Sequence, residues 1–259
     1  MIHPTAVIDK KAIIGKNTKV GPFCVIEGNV KIGNNCKLES HVVVNGDVKI
    51  GDGTQLFPFS SIGTIPQDLK FQGEKTKVVI GKNCKIREYC TINPGTKGGG
   101  GITTIGNNCL LMIGTHIAHD CLVGDNVIFA NHSTLAGHVI IEKNVVVGAL
   151  SAIHQFSRIG EGAMIGGMSG ITADVPPFCT ATGNRARLNG LNIVGLKRNK
   201  FTKNEISELR KVYNYIFNSK INTFKFRVNK IKKDDHKHQT IKKLIEFILV
   251  ESQRSFCLP

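Results

Sequence analysis

IGNNCLLMIGTHIAHDCLVG, residues 105–124, is the stretch on which the fold turns. Ile105, Leu111, Ile117 and Val123 stand six residues apart, and Cys109 and Cys121 each follow an aliphatic residue by four. The return of six runs outward in both directions. Upstream it takes in Ile2, Ile8, Ile14, Val20, Ile26, Ile32, Leu38, Val44, Ile50, Leu56 and Ile62, then Ile80, Ile86 and Ile92. Downstream it continues through Phe129, Leu135, Ile141, Val147, Ile153, Ile159 and Ile165 to Ile171. Many of these residues are followed at once by glycine, as in Ile14-Gly15, Ile32-Gly33 and Ile50-Gly51.

An amphipathic helix needs a period near 3.6, and a hairpin strand alternates by two without a strict return of six. Short strands joined by corners satisfy the pattern, with a large and a small residue alternating inward. The repeat ends near residue 183. After it, Thr202 and Glu205 form a capping box that predicts a helix to about Phe217, with Ile206, Leu209, Val212, Tyr213 and Ile216 as its apolar stripe. A second helix is predicted from about Thr240 to Glu251. The organisation expected is a mainly β solenoid over 1–183 and an α-helical C-terminal domain over 184–259, which covers the end of the stack.

Six of the eight cysteines (Cys24, Cys36, Cys84, Cys90, Cys109 and Cys121) occupy the small inward position, where a thiol packs like alanine or threonine. No Cys-x-x-Cys pair exists, and Cys179 and Cys257 fall outside the pattern. No N-terminal basic segment precedes an apolar run, and no apolar stretch approaches ~18 residues, so the chain reads as soluble, cytoplasmic and without an integral membrane segment. The formal net charge is +15, of which residues 197–259 hold 16 Lys/Arg against 6 Asp/Glu. Charge alone does not choose among nucleic acid, membrane and an acidic protein; few aromatics and no recognised motif argue against nucleic acid.

The repeat breaks at 63–79 and 94–104, and insertions in a regular coil project outward as loops. The first holds Gln67, Asp68 and Lys70; the second holds Gly98 to Gly101, read as a mobile run. Neither is a phosphate-binding Gly-x-x-x-x-Gly-Lys loop. The period of six resembles that of hexapeptide-repeat proteins, whose turns take three repeats, and that resemblance implies about 18 residues per turn, with residues 18 apart stacked in columns. His119 then shares a column with Gly137 and Gln155, while His138 and His154 sit one residue to either side, within ~10 Å along the axis. His116 adjoins them. These positions are outward, so core packing does not account for them. His3, His41, His132, His236 and His238 read as ordinary surface histidines. A zinc site is not expected, because no two histidines are five apart, the spacing of metal-binding relatives of this repeat.

The repeat resembles the hexapeptide-repeat acyltransferases, and from that resemblance alone comes a left-handed, three-sided β-helix, since the usual crossover rule favours the right hand. The motifs His116-Ile-Ala-His119-Asp120, Leu135-Ala-Gly-His138, His154-Gln155-Phe156, Gln67-Asp68-Leu-Lys70 and Gly195-Leu-Lys-Arg198 together resemble the UDP-N-acetylglucosamine acyltransferase family. The resemblance implies transfer of a 3-hydroxyacyl group from acyl carrier protein to the sugar's 3-hydroxyl, the opening step of lipid A synthesis. It implies His119 as general base, Asp120 as its orienting partner and the Gly137 N–H as oxyanion donor. Gln67, Asp68, Lys70, His116, His138, His154, Gln155, Asn192 and Arg198 match substrate-holding positions, and Gly167 with Met164 the positions that limit acyl length. A homotrimer with shared sites, an acidic carrier protein drawn to the basic tail, and no cofactor beyond the carrier's thioester are further implications.

Val194, Asn199 and Arg185 depart from the family's usual Glu, Arg and His, which bears on nucleotide contacts more than on acyl transfer. A later-acting N-acyltransferase of the same fold carries an additional N-terminal domain, for which repeats beginning at Ile2 leave no room. A coenzyme A acetyltransferase leaves the Gln67–Lys70 and Gly195–Arg198 motifs unexplained. A non-catalytic β-helical scaffold would make the histidine edge an accident.

Overall fold

The computed structural model describes residues 1–233 and 238–259; His236 lies outside them. The repeat folds into a parallel β-solenoid of three faces. Face 1 stacks the strand pairs from Val7–Ile8 to Gly170–Ile171, face 2 those from Ile13–Ile14 to Arg158–Ile159, and face 3 those from Lys19–Val20 to Met164–Ile165. Neighbouring rungs pair in register, as Lys19 with Lys37 and Ile117 with Leu135. The solenoid is the left-handed coil that the sequence resemblance implied.

Each short strand sends its aliphatic residue inward, where Ile26, Leu56, Ile86, Leu111, Ile117 and Phe129 are fully buried. Burial of one such side chain contributes about 1.5–3 kcal/mol, and the solenoid repeats that contribution at every corner. The Ile-Gly pairs now have a cause: a Cβ on Gly15, Gly51, Gly81 or Gly106 would come within 2.4–2.6 Å of the next coil's backbone. All eight cysteines are buried and free. Cys24 and Cys109 donate Sγ–H to carbonyls of the next coil, Glu39 and Gly124, and burial pushes the Cys90 and Cys121 thiols up to about 11 and about 12. Cys90 and Cys121 are thus packing residues that stay protonated.

The edge between faces 2 and 3 turns through left-handed residues that are mostly Asn (Asn17, Asn35, Asn83, Asn108, Asn126, Asn144), the type that tolerates positive φ best after glycine. The edge between faces 1 and 2 differs. Its left-handed positions in the later coils are Asp120, His138 and Phe156, with φ of 59°, 61° and 65°.

Beyond the coil, an antiparallel pair, Cys179–Thr182 with Arg187–Leu191, extends face 3 past residue 184, so the second segment is not purely helical. The expected capping box is present, opening α2 (Lys203–Tyr213), which continues as a π-helical turn to Asn218. The other expected helix is α4 (Gln239–Leu249). Two helices carried too little periodic signal to be expected: α1 (Ile193–Arg198), following Asn192, and α3 (Phe224–Lys233). Arg158, held by Asp174 at 2.7 Å, locks α4 to the coil through a stacked Phe247 ring at 4.4 Å. Among the described residues no helix is long and apolar enough to cross a membrane.

Candidate active site

Both insertions leave the solenoid at the edge between faces 1 and 2. The strands resume at Lys77 and Ile102, earlier than the broken repeat implied, because Lys77–Val79 and Ile102–Thr104 already pair across face 2. The loops tie to each other: Asn93 Nδ2 donates to Thr64 O at 3.0 Å, and the Lys97 N–H to Glu74 Oε1 at 3.0 Å.

Beneath them His119 Nδ1 lies 2.8 Å from Asp120 Oδ2. The carboxylate also accepts the Thr96 N–H at 2.9 Å on Oδ1 and the Thr96 hydroxyl at 2.7 Å on Oδ2. A carboxylate partner requires the imidazole proton on Nδ1, which leaves Nε2 free to take another. His119 and Asp120 are only 8% and 4% exposed. Outward position therefore does not mean a wet side chain, since the second loop buries them. Its glycines serve close approach: a Cβ on Gly99 would fall 2.0 Å from Asp120 Cγ.

His119 rests on Gly137. A Cβ there would sit 2.4 Å from His119 Cε1 and 2.6 Å from Nε2, so only glycine leaves room for the ring. The Gly137 N–H donates to no group among the described residues. His138 meets His119 edge-on at 5.0 Å and stacks flat on Phe156 at 4.5 Å. Its imidazole is held below the usual histidine range by burial, with His119 acting in the same sense and the Asp120 and Asp68 carboxylates opposing. His116 accepts or donates at Nδ1 to Thr91 Oγ1 at 2.6 Å, and burial followed by His119 lowers its pKa too.

His119, Asp120 and His138 offer ligand atoms within 4.8 Å of one another. Binding a cation there would break the His119 to Asp120 bond and displace Thr96, since Oδ2 already accepts three donors. The donor set suits proton transfer better than metal binding.

A cavity of about 520 Å³ opens beside this edge, lined by Asp68, Lys70, Glu74, Thr96, Lys97, His138 and Phe156 among others. Gln67 stands next to Asp68 but does not line it. His154 and Gln155 lie one rung beyond Gly137. The remaining expected residues are elsewhere: Met164, Asn192 and Arg198 line a cavity of about 850 Å³ against face 3, together with Val194 and Asn199. In a three-sided prism face 3 lies opposite the edge that bears His119. Gly167 lies at the edge between faces 3 and 1, where a Cβ would meet Ala149 O at 3.3 Å. Asn192 also caps α1, accepting the Gly195 N–H at 2.9 Å and donating to Gly162 O at 3.0 Å.

Thr96 and Arg254 do not emerge from the sequence, and Phe156 enters there only as the last residue of the His154-Gln155-Phe156 motif, with no role of its own. Phe156 was within reach, being 18 residues from His138 and 36 from Asp120 in one column. Thr96 carried only its place before a glycine run, and Arg254 carried no signal.

The fold and this histidine–carboxylate edge define a hexapeptide-repeat transferase of the O-acyltransferase class. Family models agree: bacterial transferase hexapeptide repeats match residues 11–46 and 102–137, and the second domain of UDP-N-acetylglucosamine O-acyltransferase matches 174–257. The chain belongs to the UDP-N-acetylglucosamine O-acyltransferase family. It is 48% identical over 248 residues to the acyl-(acyl-carrier-protein)–UDP-N-acetylglucosamine O-acyltransferase of Aliarcobacter butzleri, covering 96% of this chain and 95% of that one. The enzyme of the same name from Campylobacter concisus is 44% identical, covering 96% and 94%. The solved UDP-N-acetylglucosamine acyltransferase of Campylobacter jejuni superimposes with a TM-score of 0.93 at 40% identity, covering 100% of both chains.

Proposed function

We infer that this enzyme moves an (R)-3-hydroxyacyl group from the pantetheine thioester of acyl carrier protein to the 3-hydroxyl of UDP-N-acetylglucosamine, the first step of lipid A synthesis, in the cytoplasm. The observation that carries the reading is His119 Nδ1 tied to Asp120 with Nε2 free above Gly137. A sugar hydroxyl does not ionise at neutral pH, so it needs a base as it attacks. Nε2 takes the hydroxyl proton, and the sugar oxygen bonds to the thioester carbonyl carbon. Asp120 stabilises the imidazolium formed in that step. The carbonyl oxygen becomes an oxyanion facing the Gly137 N–H, a donor with no competing partner among the described residues. Collapse breaks the C–S bond, and His119 returns its proton to the leaving thiolate. The thioester carries the activation, so no further cofactor enters.

The division of the site supports a homotrimer in which face 3 of a neighbour, with Met164, Asn192 and Arg198, closes over the His119 edge. The 16 basic residues after position 196 fit an acidic carrier protein as partner.

The test is mass-spectrometric detection of acylated UDP-N-acetylglucosamine from a panel of 3-hydroxyacyl carrier proteins, with His119→Ala and Asp120→Asn alongside. Wild type should give product; both variants should stay folded and lose most turnover. Full turnover in His119→Ala removes the histidine base.

A further inference from the structure

After α4 the chain runs back to the coil as a strap. Phe256 bridges Asp174, the Asp174 N–H donates to Ser255 O at 2.8 Å, and the Cys257 N–H donates to Asp174 O at 2.8 Å. This places half-buried Arg254 on the active edge, about a hundred residues from its partners. Its Nε donates to Gln155 O at 2.9 Å, and its Nη2 lies 2.7 Å from His154 Nδ1.

A guanidinium has donors only and keeps its charge. Facing it at 2.7 Å, His154 Nδ1 must accept, so the ring's single proton sits on Nε2; the Gln155 carbonyl oxygen, 3.3 Å from the same Nδ1, is the weaker contact and already accepts the Arg254 Nε–H. The contact thus selects one of two tautomers and fixes the ring's direction. His154 is exposed and one rung past Gly137. A neutral imidazole held this way presents a donor to the groove and no acceptor.

We propose that Arg254 is a positioning residue that holds His154 as an Nε2–H donor for a pure acceptor on the substrate, a carbonyl or phosphate oxygen. The proposal rests on the acyl-transfer reading for what His154 meets, but not for the tautomer. The backbone bonds of the strap to Asp174 do not involve the Arg254 side chain, so Arg254→Ala retains them.

Two measurements on the full chain test it. In protein labelled with 15N-histidine, His154 should show the Nε2–H pattern, assigned by its loss in His154→Ala. Arg254→Ala should convert it to a mixture of tautomers while the other histidines keep theirs. In kinetics, Arg254→Ala and His154→Ala should each raise KM about tenfold for the same co-substrate, and the double variant should be no worse than His154→Ala alone. A rise for acyl carrier protein places the acceptor on its phosphopantetheine arm; a rise for the sugar nucleotide places it on a carbonyl or phosphate oxygen of that molecule. An unchanged His154 spectrum in Arg254→Ala overturns the proposal, as do additive effects. If wild type shows no acyl transfer, the proposed function fails, while the spectrum still decides what Arg254 does to His154.

Discussion

Gly137→Ala is the most economical way to ask whether His119 works where the structure puts it. The new Cβ would lie 2.4 Å from Cε1, 2.6 Å from Nε2 and 3.0 Å from Nδ1. Carbon atoms in contact settle near ~3.5–4.0 Å, so the ring must retreat by about 1 Å. Retreat is opposed on the far side, where Nδ1 is bonded to Asp120 and Thr96 holds Asp120 in turn. A displacement of that size in a reacting group costs roughly a hundredfold in rate, and the overpacking itself destabilises by about 1–3 kcal/mol. The assay is steady-state turnover followed by product mass, with thermal melting beside it. Gly98→Ala is the control, because nothing lies within 4 Å of its added Cβ. Kcat should fall about a hundredfold in Gly137→Ala with a modestly lowered Tm, and Gly98→Ala should melt like wild type. A folded Gly137→Ala enzyme with wild-type kcat would refute the placement of the base.

Thr96→Val removes the 2.7 Å hydroxyl donor from Asp120 but keeps the backbone one; kcat should drop about tenfold, measured in the same assay. Folding stability should depend on pH through His116 and His138, whose pKa values are lowered mainly by burial. Both are neutral in folded and unfolded chains above about 6.5, so their contribution is fully present there; it is lost as pH falls from about 6.5 through the folded values, because the unfolded chain binds protons first. Denaturant titrations at neutral and mildly acidic pH should show that loss, and His116→Gln with His138→Gln should reduce it. If the site is shared as proposed, co-expression of His119→Ala and Arg198→Ala chains should restore turnover that neither has alone, since a mixed trimer would hold some sites with both residues intact. No restoration would place the whole site within one chain.

The solenoid was legible because every coil repeats one decision: an aliphatic inward, a small residue four later, glycine where backbones nearly touch. Column arithmetic from that repeat also brought His119, Gly137, Gln155 and His138 onto one edge, as the ladder bonds from His138 N to His119 O and from Phe156 N to Gly137 O show. What it missed has a common cause. Thr96 and Arg254 act from a loop and a strap, whose paths follow from tertiary contacts and not from period. The glycine run at 98–101 read as mobility, yet Gly99 is where the loop must touch Asp120. The burial of His119 was missed for the same reason, because a repeat fixes which way a side chain points and says nothing of what later folds over it.

Two of the prism's three edges show how a repetitive scaffold is made specific. Asn lines the edge between faces 2 and 3, coil after coil, because that turn needs a left-handed residue and nothing more. At the edge between faces 1 and 2 the same backbone position is filled by Asp120, His138 and then Phe156, a bulky aromatic at φ 65° that is intrinsically unfavourable there. The left-handed turn aims three side chains from successive coils into one column: Asp120 reaches back to His119, His138 packs edge-on to His119, and Phe156 backs His138. An asparagine column would satisfy the turn at lower conformational cost but supply neither the carboxylate nor the rings. Bulky residues also take the left-handed position at the edge between faces 3 and 1 (Phe23, Phe59, Tyr89, Leu150, Met168), so what sets the His119 edge apart is the identity of its side chains and the two insertions of the coil that emerge there to cover them.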